Sequence, residues 1–369
     1  MTVWLRTNIL KKNNDTFMNF TVGPVPMDQE ILDIGSEQLP YFRTEYFSKI
    51  VLQCQQKLLD SVNAPLNSKV IFLVSSGTGG MEAVCLNLIS IDDEPVIING
   101  GGFGERFVNI CTRQGKKVNE VKIPYGKRPD VSKIKITEKT KSFIVNGHET
   151  STGVLYQLDE MAEYCLHNNL MYIVDAISLY TTDPIDMSAL SIDALIIGSQ
   201  KGIALPPGMT FIILSPKAID HVRNRSRTTG SLYLDFNEYL DNIDRGQTPF
   251  TPSVGIILQL YSQLNKFEKN GMDFYHRKAS NLASLFRNNI STFPLELFTK
   301  YMPNALTALT TTNGESASDL VNNFITRYKI YLNPNGSELS DKVFRVSHMG
   351  NQSEDDVRSL LSAFEDYYR

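Results

Sequence analysis

Two charged side chains follow apolar stretches at points where a buried strand would end. Asp175 closes the run in YIVDAIS (172–178), and Lys201 follows ALIIGS within GSQKGIALPPG (198–208). A carboxylate at the end of a buried strand costs free energy unless a positive or hydrogen-bonding partner faces it. If the two strands are neighbours, they hold an acid and an amine on one rim. The plainer interpretations are that Asp175 caps the next segment or pairs with an arginine, and that Lys201 is a solvated turn residue.

A glycine-rich turn supplies a third group. In VSSGTGGMEA (74–83), which leads from a strand into a helix, backbone N–H groups and the hydroxyls of Ser76 and Thr78 can surround a phosphate. A turn without a ligand fits this stretch equally well. No Walker lysine follows it, and NGGGFGERF (99–107) has Glu105 where a dinucleotide motif needs its last glycine, so neither ATP nor NAD is favoured.

Together, a phosphate cradle, a strand-end acid and a strand-end lysine are what is needed to hold pyridoxal phosphate. They would bind its phosphate, its ring nitrogen and its aldehyde. The set therefore favours this cofactor more than any one of its parts does.

Seven β-rich runs separated by helical stretches position these residues, between residues 70 and 215. The runs are VIFLVSS, PVIING, KKVNEVKIP, SFIVNG, LMYIVDAIS, ALIIGS and MTFIILS. Continuously apolar strands are typical of a mostly parallel sheet buried on both faces, so an α/β fold is predicted.

The pattern changes after residue 252 to long amphipathic stretches, two apolar runs and a final helix that Ser353 can cap. The apolar face of that helix is predicted to be Val357, Leu360, Leu361 and Phe364. We predict an extension over residues 1–17, a large domain over 18–262 and a smaller α+β domain over 263–369.

The composition restricts the function classes. The 369 residues are 42% hydrophobic and 21% charged with a net charge of −4, which is typical of a globular protein without a basic field for nucleic acid or anionic membranes. The four cysteines form no CxxC pair, and no apolar run is long enough for a membrane span or a signal peptide. We expect a cytoplasmic protein without disulfides, whose ligands are small molecules.

The motifs, taken in order, resemble those of class V aminotransferases, which are fold-type I pyridoxal-phosphate enzymes. The motifs are TVGPVP, SSGTGGMEA, GGFGERF, HETSTGV, VDAIS, GSQKG, GQTPFTP and FRVSHMG. The chain is most similar to the branch of alanine/serine–glyoxylate aminotransferases and 2-aminoethylphosphonate–pyruvate transaminases. The resemblance implies a large domain with a mostly parallel seven-stranded sheet between helices and a smaller α+β C-terminal domain.

The resemblance also implies the cofactor, pyridoxal 5′-phosphate, and the residues that bind it. Lys201 would form the internal aldimine and act as acid and base, while Asp175 would pair with the pyridinium nitrogen. The other implied contacts are Ser76, Gly77, Thr78 and Gln200 at the phosphate, Phe103 stacked on the ring, Thr150 near the 3-oxygen, and Tyr233 and Thr251 reaching the partner subunit's phosphate. Phe103 could instead be plain core, and Ser151 could take the place of Thr150. No metal is predicted.

Substrate recognition is assigned to Arg345 in FRVSHMG, which matches the arginine that grips a substrate α-carboxylate. Without the resemblance, a surface salt bridge would be the simpler interpretation. Arg43 in PYFRTEYF could contact a second anion such as a phosphonate, or could be solvated or structural. His148 and His348 receive no role.

The implied function is ping-pong amino transfer from a small amino donor to a 2-oxo acid, in a homodimer with shared active sites. A desulfurase needs a loop cysteine after its lysine, and none follows Lys201. The fold would also suit a lyase, a non-catalytic binding protein or a sugar aminotransferase. A non-catalytic protein fits less well with an intact Lys201 and Asp175. A sugar aminotransferase fits less well with the arginine that matches the carboxylate grip.

Overall fold

The structure is a computed structural model that describes residues 17–225 and 228–369. The extension expected over residues 1–17 therefore lies, apart from Phe17, outside the described residues. In chain order the strands are β1 (Met18–Phe20), β2 (Lys69–Leu73), β3 (Val96–Asn99), β4 (Asn119–Lys122), β5 (Ser142–Asn146), β6 (His148–Glu149), β7 (Val154–Leu155), β8 (Met171–Asp175), β9 (Ala194–Gly198), β10 (Thr210–Leu214), β11 (Leu295–Leu297), β12 (Leu306–Thr311), β13 (Ile330–Leu332) and β14 (Phe344–Ser347). The helices are α1 (Gln29–Gly35), α2 (Glu45–Ser61), α3 (Gly77–Leu88), α4 (Gly102–Arg113), α5 (Leu158–His167), α6 (Pro216–Asn224), α7 (Phe236–Ile243), α8 (Val254–Asn270), α9 (Met272–Arg287), α10 (Ala317–Asn323) and α11 (Glu354–Tyr367).

A seven-stranded sheet in the order β2-β10-β9-β8-β5-β3-β4 carries the site. Only β10 runs antiparallel to its neighbours, so the prediction of a mostly parallel sheet is confirmed, and its strands coincide with the seven apolar runs. Side chains alternate between two hydrophobic cores: Val70 and Phe72 enter one, Ile71 and Leu73 the other. Helices cover both faces, which is why the strands are predominantly apolar except for the edge strand β4, none of whose residues is buried.

Three adjacent parallel strands have their carboxyl ends where Asp175 and Lys201 lie. Residues Asn146 and Asp175 close β5 and β8 and are paired in register, and β9 next to them leads directly to Lys201. Because parallel strands present their carboxyl ends at one edge, the sheet brings the acid and the amine together.

The C-terminal part contains a three-stranded antiparallel sheet, β11-β12-β14, with α9 and α11 packed against it. Ser353 caps α11 in a capping box, and the four apolar residues predicted for this helix are buried. The N-terminal strand β1 pairs in parallel with β13, and Phe20 joins the same core. Helix α8 runs unbroken through residue 262, and the division into 18–262 and 263–369 stays a prediction.

All four cysteines are buried as thiols. Across residues 17–225 and 228–369, no helix has the length and apolar character that crossing a membrane requires.

Candidate functional site

Lys201 lies in the turn after β9, beneath the N-terminal segment TVGPVP. Only 9% of the residue is exposed, and its Nζ donates a hydrogen bond to the carbonyl of Val22. Gly23 has φ +127°, and a Cβ there would lie 2.7 Å from Lys201 Cδ, so the backbone passes this close only because Gly23 has no side chain. Burial, reinforced by the charge of Arg345 and opposed by Asp175, lowers the pKa of Lys201 to about 8. The lysine is therefore not a solvated turn residue.

Asp175 is buried at the end of β8 and held by neutral donors. Its Oδ2 accepts from Asn146 Nδ2 at 2.7 Å and its Oδ1 from the Ile177 N–H at 2.8 Å. Burial raises the pKa of Asp175 to about 6, although both hydrogen bonds favour the ionised form. At neutral pH this is a buried carboxylate without an ion pair among the described residues, so a cationic ligand would be stabilised beside it.

The glycine-rich turn leads into α3, which starts without a side-chain cap. The N–H groups of a first helical turn lack intrahelical acceptors, so this start favours an anion. Gly77 fits tightly, since a Cβ there would lie 2.5 Å from Ile177 Cδ1. Ser76 is exposed, and Thr78 Oγ1 accepts from Arg106 Nη1 at 3.0 Å. On the neighbouring turn, Gln200 has a buried Oε1 without a hydrogen-bond partner.

Phe103 is only partly buried at the start of α4, so it is not a core residue. The Arg106 guanidinium lies 4.8 Å from the centre of its ring. The buried carboxylate of Glu149 accepts from the N–H groups of Gly104 and Phe103 at 3.0 and 3.3 Å. Arg106 and Glu149 thus fix the aromatic ring relative to the turn that holds Thr78.

Thr150 and Ser151 face different groups. Thr150 Oγ1 lies 2.7 Å from Ser178 Oγ, in the turn after Asp175. Ser151 Oγ accepts from the Gly102 N–H at 2.9 Å and donates to Glu149, so its hydroxyl is engaged at the start of α4. Of the two hydroxyls, Thr150 remains the candidate for a cofactor contact.

Arg345 projects from β14 and is 7% exposed. It donates to the carbonyl of Thr150 at 3.1 Å and to that of Pro334 at 2.5 Å, whereas its Nε has no partner. No carboxylate among the described residues forms an ion pair with it, so the interpretation as a surface salt bridge is wrong. Burial lowers its pKa to about 10, and the negative charge of Glu149 opposes this only in part.

Three predicted or possible site residues are exposed in the single chain. Thr251 is exposed, and Tyr233 is 40% exposed, stacks on Phe250 and donates to the carbonyl of Val74 at 3.4 Å. Neither hydrogen-bonds to Lys201. Arg43 donates to Gln247 Oε1 and to the backbone carbonyls of Thr248 and Pro249.

Several residues that shape the site had no role assigned to them from the sequence. They are Asn146, His148, Glu149, Ser178 and Arg106. Two had a usable signal: Asn146 is a polar residue at a strand end, as Asp175 is, and Arg106 follows Phe103 by one helical turn.

Comparison with known proteins identifies the family of this chain. Residues 41–360 match the family Aminotransferase class-V. The chain belongs to this family. Aminotransferases of class V depend on pyridoxal 5′-phosphate, which is the cofactor of this enzyme. The predicted family, fold and cofactor are thus confirmed.

Individual relatives cover nearly the whole aminotransferase chain. It is 29% identical to the soluble hydrogenase 42 kDa subunit of Anabaena cylindrica, over 95% of this chain and 93% of the relative. It is 24% identical to L-aspartate–glyoxylate aminotransferase of Paracoccus denitrificans, over 90% and 86%. The alanine–glyoxylate aminotransferase of a Nostoc species shares the fold, with a TM-score of 0.90 at 22% identity over 96% of each chain.

The residues present fit the cofactor. The uncapped start of α3 and the unpartnered Gln200 Oε1 suit a phosphate, the buried carboxylate of Asp175 suits a protonated ring nitrogen, and the amine of Lys201 has a lowered pKa.

Proposed function

We propose that this aminotransferase moves an amino group from a small donor, such as alanine, serine or 2-aminoethylphosphonate, to a 2-oxo acid such as pyruvate or glyoxylate. One observation carries the proposal: Arg345 is buried beside Thr150 with an unpaired Nε and no carboxylate partner among the described residues. A guanidinium in this state is suited to a substrate carboxylate. The glyoxylate aminotransferases among its relatives support the acceptor class.

The chain would hold the cofactor at four points. Ser76, Gly77, Thr78 and Gln200 would bind its phosphate, and Asp175 its ring nitrogen. Phe103 would stack on the ring, and Thr150 would donate to the 3-oxygen. Bound in this way, pyridoxal phosphate supplies an electron sink that makes the donor's Cα proton acidic.

Lys201 would tether the cofactor and then serve as acid and base. A pKa of about 8 gives Nζ an appreciable neutral fraction near neutral pH, so it can remove the proton from the donor's Cα and later return it. The first product leaves before the acceptor binds, which is the ping-pong order. The Val22 carbonyl would retain the amine while it is not attached.

We further propose a cytoplasmic homodimer with shared active sites. Tyr233 and Thr251 are exposed in the single chain, as residues that reach a partner subunit's phosphate would have to be. The proposed partners are small molecules only, with neither nucleic acid nor membrane among them.

Separate measurement of the two half-reactions tests the substrate role. Arg345→Lys keeps the charge and loses the planar fork, so cofactor colour should persist. For α-carboxylate donors, kcat/KM should fall by about two orders of magnitude or more. 2-Aminoethylphosphonate lacks an α-carboxylate, so with this donor Arg345 would face the phosphonate instead, and the half-reaction of the carboxylate-bearing oxo acid should slow as well. The measurement is the rate at which each donor converts the absorption spectrum of the holoenzyme.

Arg287→Lys is the control, because Arg287 is half-buried and donates only to Thr307 Oγ1 and to the carbonyls of Pro303 and Leu306. It should leave both half-reactions unchanged. Equal rates in the Arg345 variant and the wild type would refute the assigned role. Repeated turnover of the donor without any acceptor, beyond the one equivalent of product that the first half-reaction releases, would indicate a lyase. Failure of borohydride to attach the cofactor to the Lys201 peptide would indicate a non-catalytic protein.

A further inference from the structure

A line of three buried side chains leads to Thr150 from a histidine that the proposed mechanism does not use. His148 Nδ1 lies 2.9 Å from Ser178 Oγ, and Ser178 Oγ lies 2.7 Å from Thr150 Oγ1. All three residues are at least 95% buried. Their polar atoms are therefore largely shielded from bulk water.

His148 is a neutral ring in this position. Burial lowers its pKa to about 3, opposed by a hydrogen bond to the Ser178 backbone and helped by the positive charges of Lys201, Arg345 and Arg287. A neutral imidazole carries its proton on one nitrogen only. Which of the two nitrogens carries the proton decides which group donates and which accepts in each hydrogen bond of the line.

The unpaired nitrogen decides the tautomer. His148 Nε2 is buried without a hydrogen-bond partner. A buried N–H without an acceptor is rarer in proteins than an acceptor without a donor, so the proton belongs on Nδ1. Nδ1 then donates to Ser178 Oγ, and the single hydroxyl proton of Ser178 passes to Thr150 Oγ1. The proton of Thr150 is left to be donated away from the line.

We propose that His148 and Ser178 are positioning residues that fix the Thr150 hydroxyl as a one-way hydrogen-bond donor to the 3-oxygen of the cofactor. This inference rests on the proposed function, in which Thr150 lies at that oxygen. A fixed donor takes up part of the oxygen's negative charge, so the adjacent nitrogen of Lys201 holds its proton less tightly. The line of His148, Ser178 and Thr150 thereby lowers the pKa of the cofactor chromophore, which is the pKa of the nitrogen that would join Lys201 to pyridoxal phosphate.

The charged groups around the chromophore do not change when His148 is replaced. They are Asp175, Arg345 and Arg106, which couple electrostatically to Lys201, and Glu149, which couples to Asp175 and Arg345. Since His148 is neutral, a shifted chromophore pKa in its variants reports the direction of a hydrogen bond and not a lost charge.

The test is a pH titration of the visible absorption of the holoenzyme. His148→Leu removes the donor and should raise the chromophore pKa by about one unit, a tenfold change in proton affinity. His148→Asn places an amide N–H near the position of Nδ1 and should restore the wild-type value. His348→Leu is the matched control, because His348 is equally buried and bonds only to Thr307 Oγ1. It should cause no shift.

Ser178→Ala interrupts the same line with a smaller change and should reproduce the shift if His148→Leu does not fold. A well-folded Ser178→Ala holoenzyme with the wild-type chromophore pKa would refute the proposal that His148 and Ser178 position the Thr150 hydroxyl. So would nitrogen NMR of the cofactor-free protein that finds the His148 proton on Nε2. A wild-type protein that binds no pyridoxal phosphate would instead refute the proposed function, and the NMR result would still decide the tautomer.

Discussion

At the scale of single residues, the site depends on two groups whose pKa values are displaced toward each other. Burial raises the pKa of Asp175 to about 6 and lowers that of Lys201 to about 8. In both cases the uncharged form is favoured, which costs folding stability but prepares the amine for chemistry. The carboxylate would recover that cost when a protonated ring nitrogen binds beside it.

Replacement of Asp175 by asparagine should make the cofactor-free protein more stable and weaken its binding of the cofactor. The pKa is raised from an ordinary 3.8 to about 6, so the unfolded state loses its proton first and stability falls as pH rises through this window. At pH 7.5, cofactor-free Asp175→Asn should thus be more stable than the wild type by about 2–3 kcal/mol, with little difference near pH 4. Urea denaturation at the two pH values measures this.

The same variant should bind pyridoxal phosphate more weakly, because an amide cannot neutralise the ring nitrogen. Asp183→Asn is the control: this carboxyl is also buried, with its pKa raised to about 6, but it bonds to Asn304 and Thr182 away from the site. Its cofactor affinity should equal that of the wild type. An Asp175→Asn protein that is less stable than the wild type at both pH values would contradict the argument.

At the scale of elements, the N-terminal segment completes a site that the sheet only begins. The carbonyl of Val22 reaches Lys201, and the Val25 N–H donates to the carbonyl of Gln200 at 3.2 Å. Strand β1 fixes this segment through its pairing with β13. The cover over the lysine is thus anchored in the C-terminal part of the chain.

Gly23→Ala should damage the site through this cover. A Cβ would lie 2.7–2.9 Å from three atoms of the Lys201 side chain, at a backbone φ of +127°. Displacing the lysine should lower kcat/KM on the order of tenfold to a hundredfold. Gly314→Ala is the control, since φ is +82° there with no atom within 4 Å, so only the backbone cost applies. Equal activity of the two variants would show that the segment does not constrain Lys201.

At the scale of the whole molecule, the single chain leaves part of the predicted cofactor contacts on its surface. Leu39, Tyr41, Tyr46 and Leu232 are large exposed apolar residues, and they come from the same stretches of chain as Arg43 and Tyr233. Exposed apolar groups of this kind favour burial against another subunit. This agrees with the proposed homodimer.

Thr251→Ala should weaken cofactor retention if its hydroxyl reaches the partner subunit's phosphate. The loss expected for one hydrogen bond to a charged group is about 1.5–3 kcal/mol, measured as the dissociation constant of pyridoxal phosphate. Thr312→Ala removes a similarly exposed threonine hydroxyl from the C-terminal part and should have no effect. A fully active monomer in analytical ultracentrifugation would contradict the shared site.

The sequence by itself determined the local features of this protein. Apolar runs set six of the seven strands, because residues buried on both faces of a sheet need nearly uninterrupted hydrophobicity, whereas the edge strand β4 is largely polar. The strand-end positions of Asp175 and Lys201 followed from the same runs, and the Ser353 cap followed from its neighbours in the chain. These features depend on residues close in sequence, which is why they could be predicted.

Only the tertiary structure decided which distant residues meet at the site. The bond from Lys201 to Val22 spans 179 positions and that from Arg345 to Thr150 spans 195. Asn146 reaches Asp175 because β5 and β8 are neighbours, and strand order has no signature within either strand. Such contacts result from the packing of the whole chain. The burial that displaces the pKa values of Lys201 and Asp175 arises in the same way, so it too could not be inferred from the motifs alone.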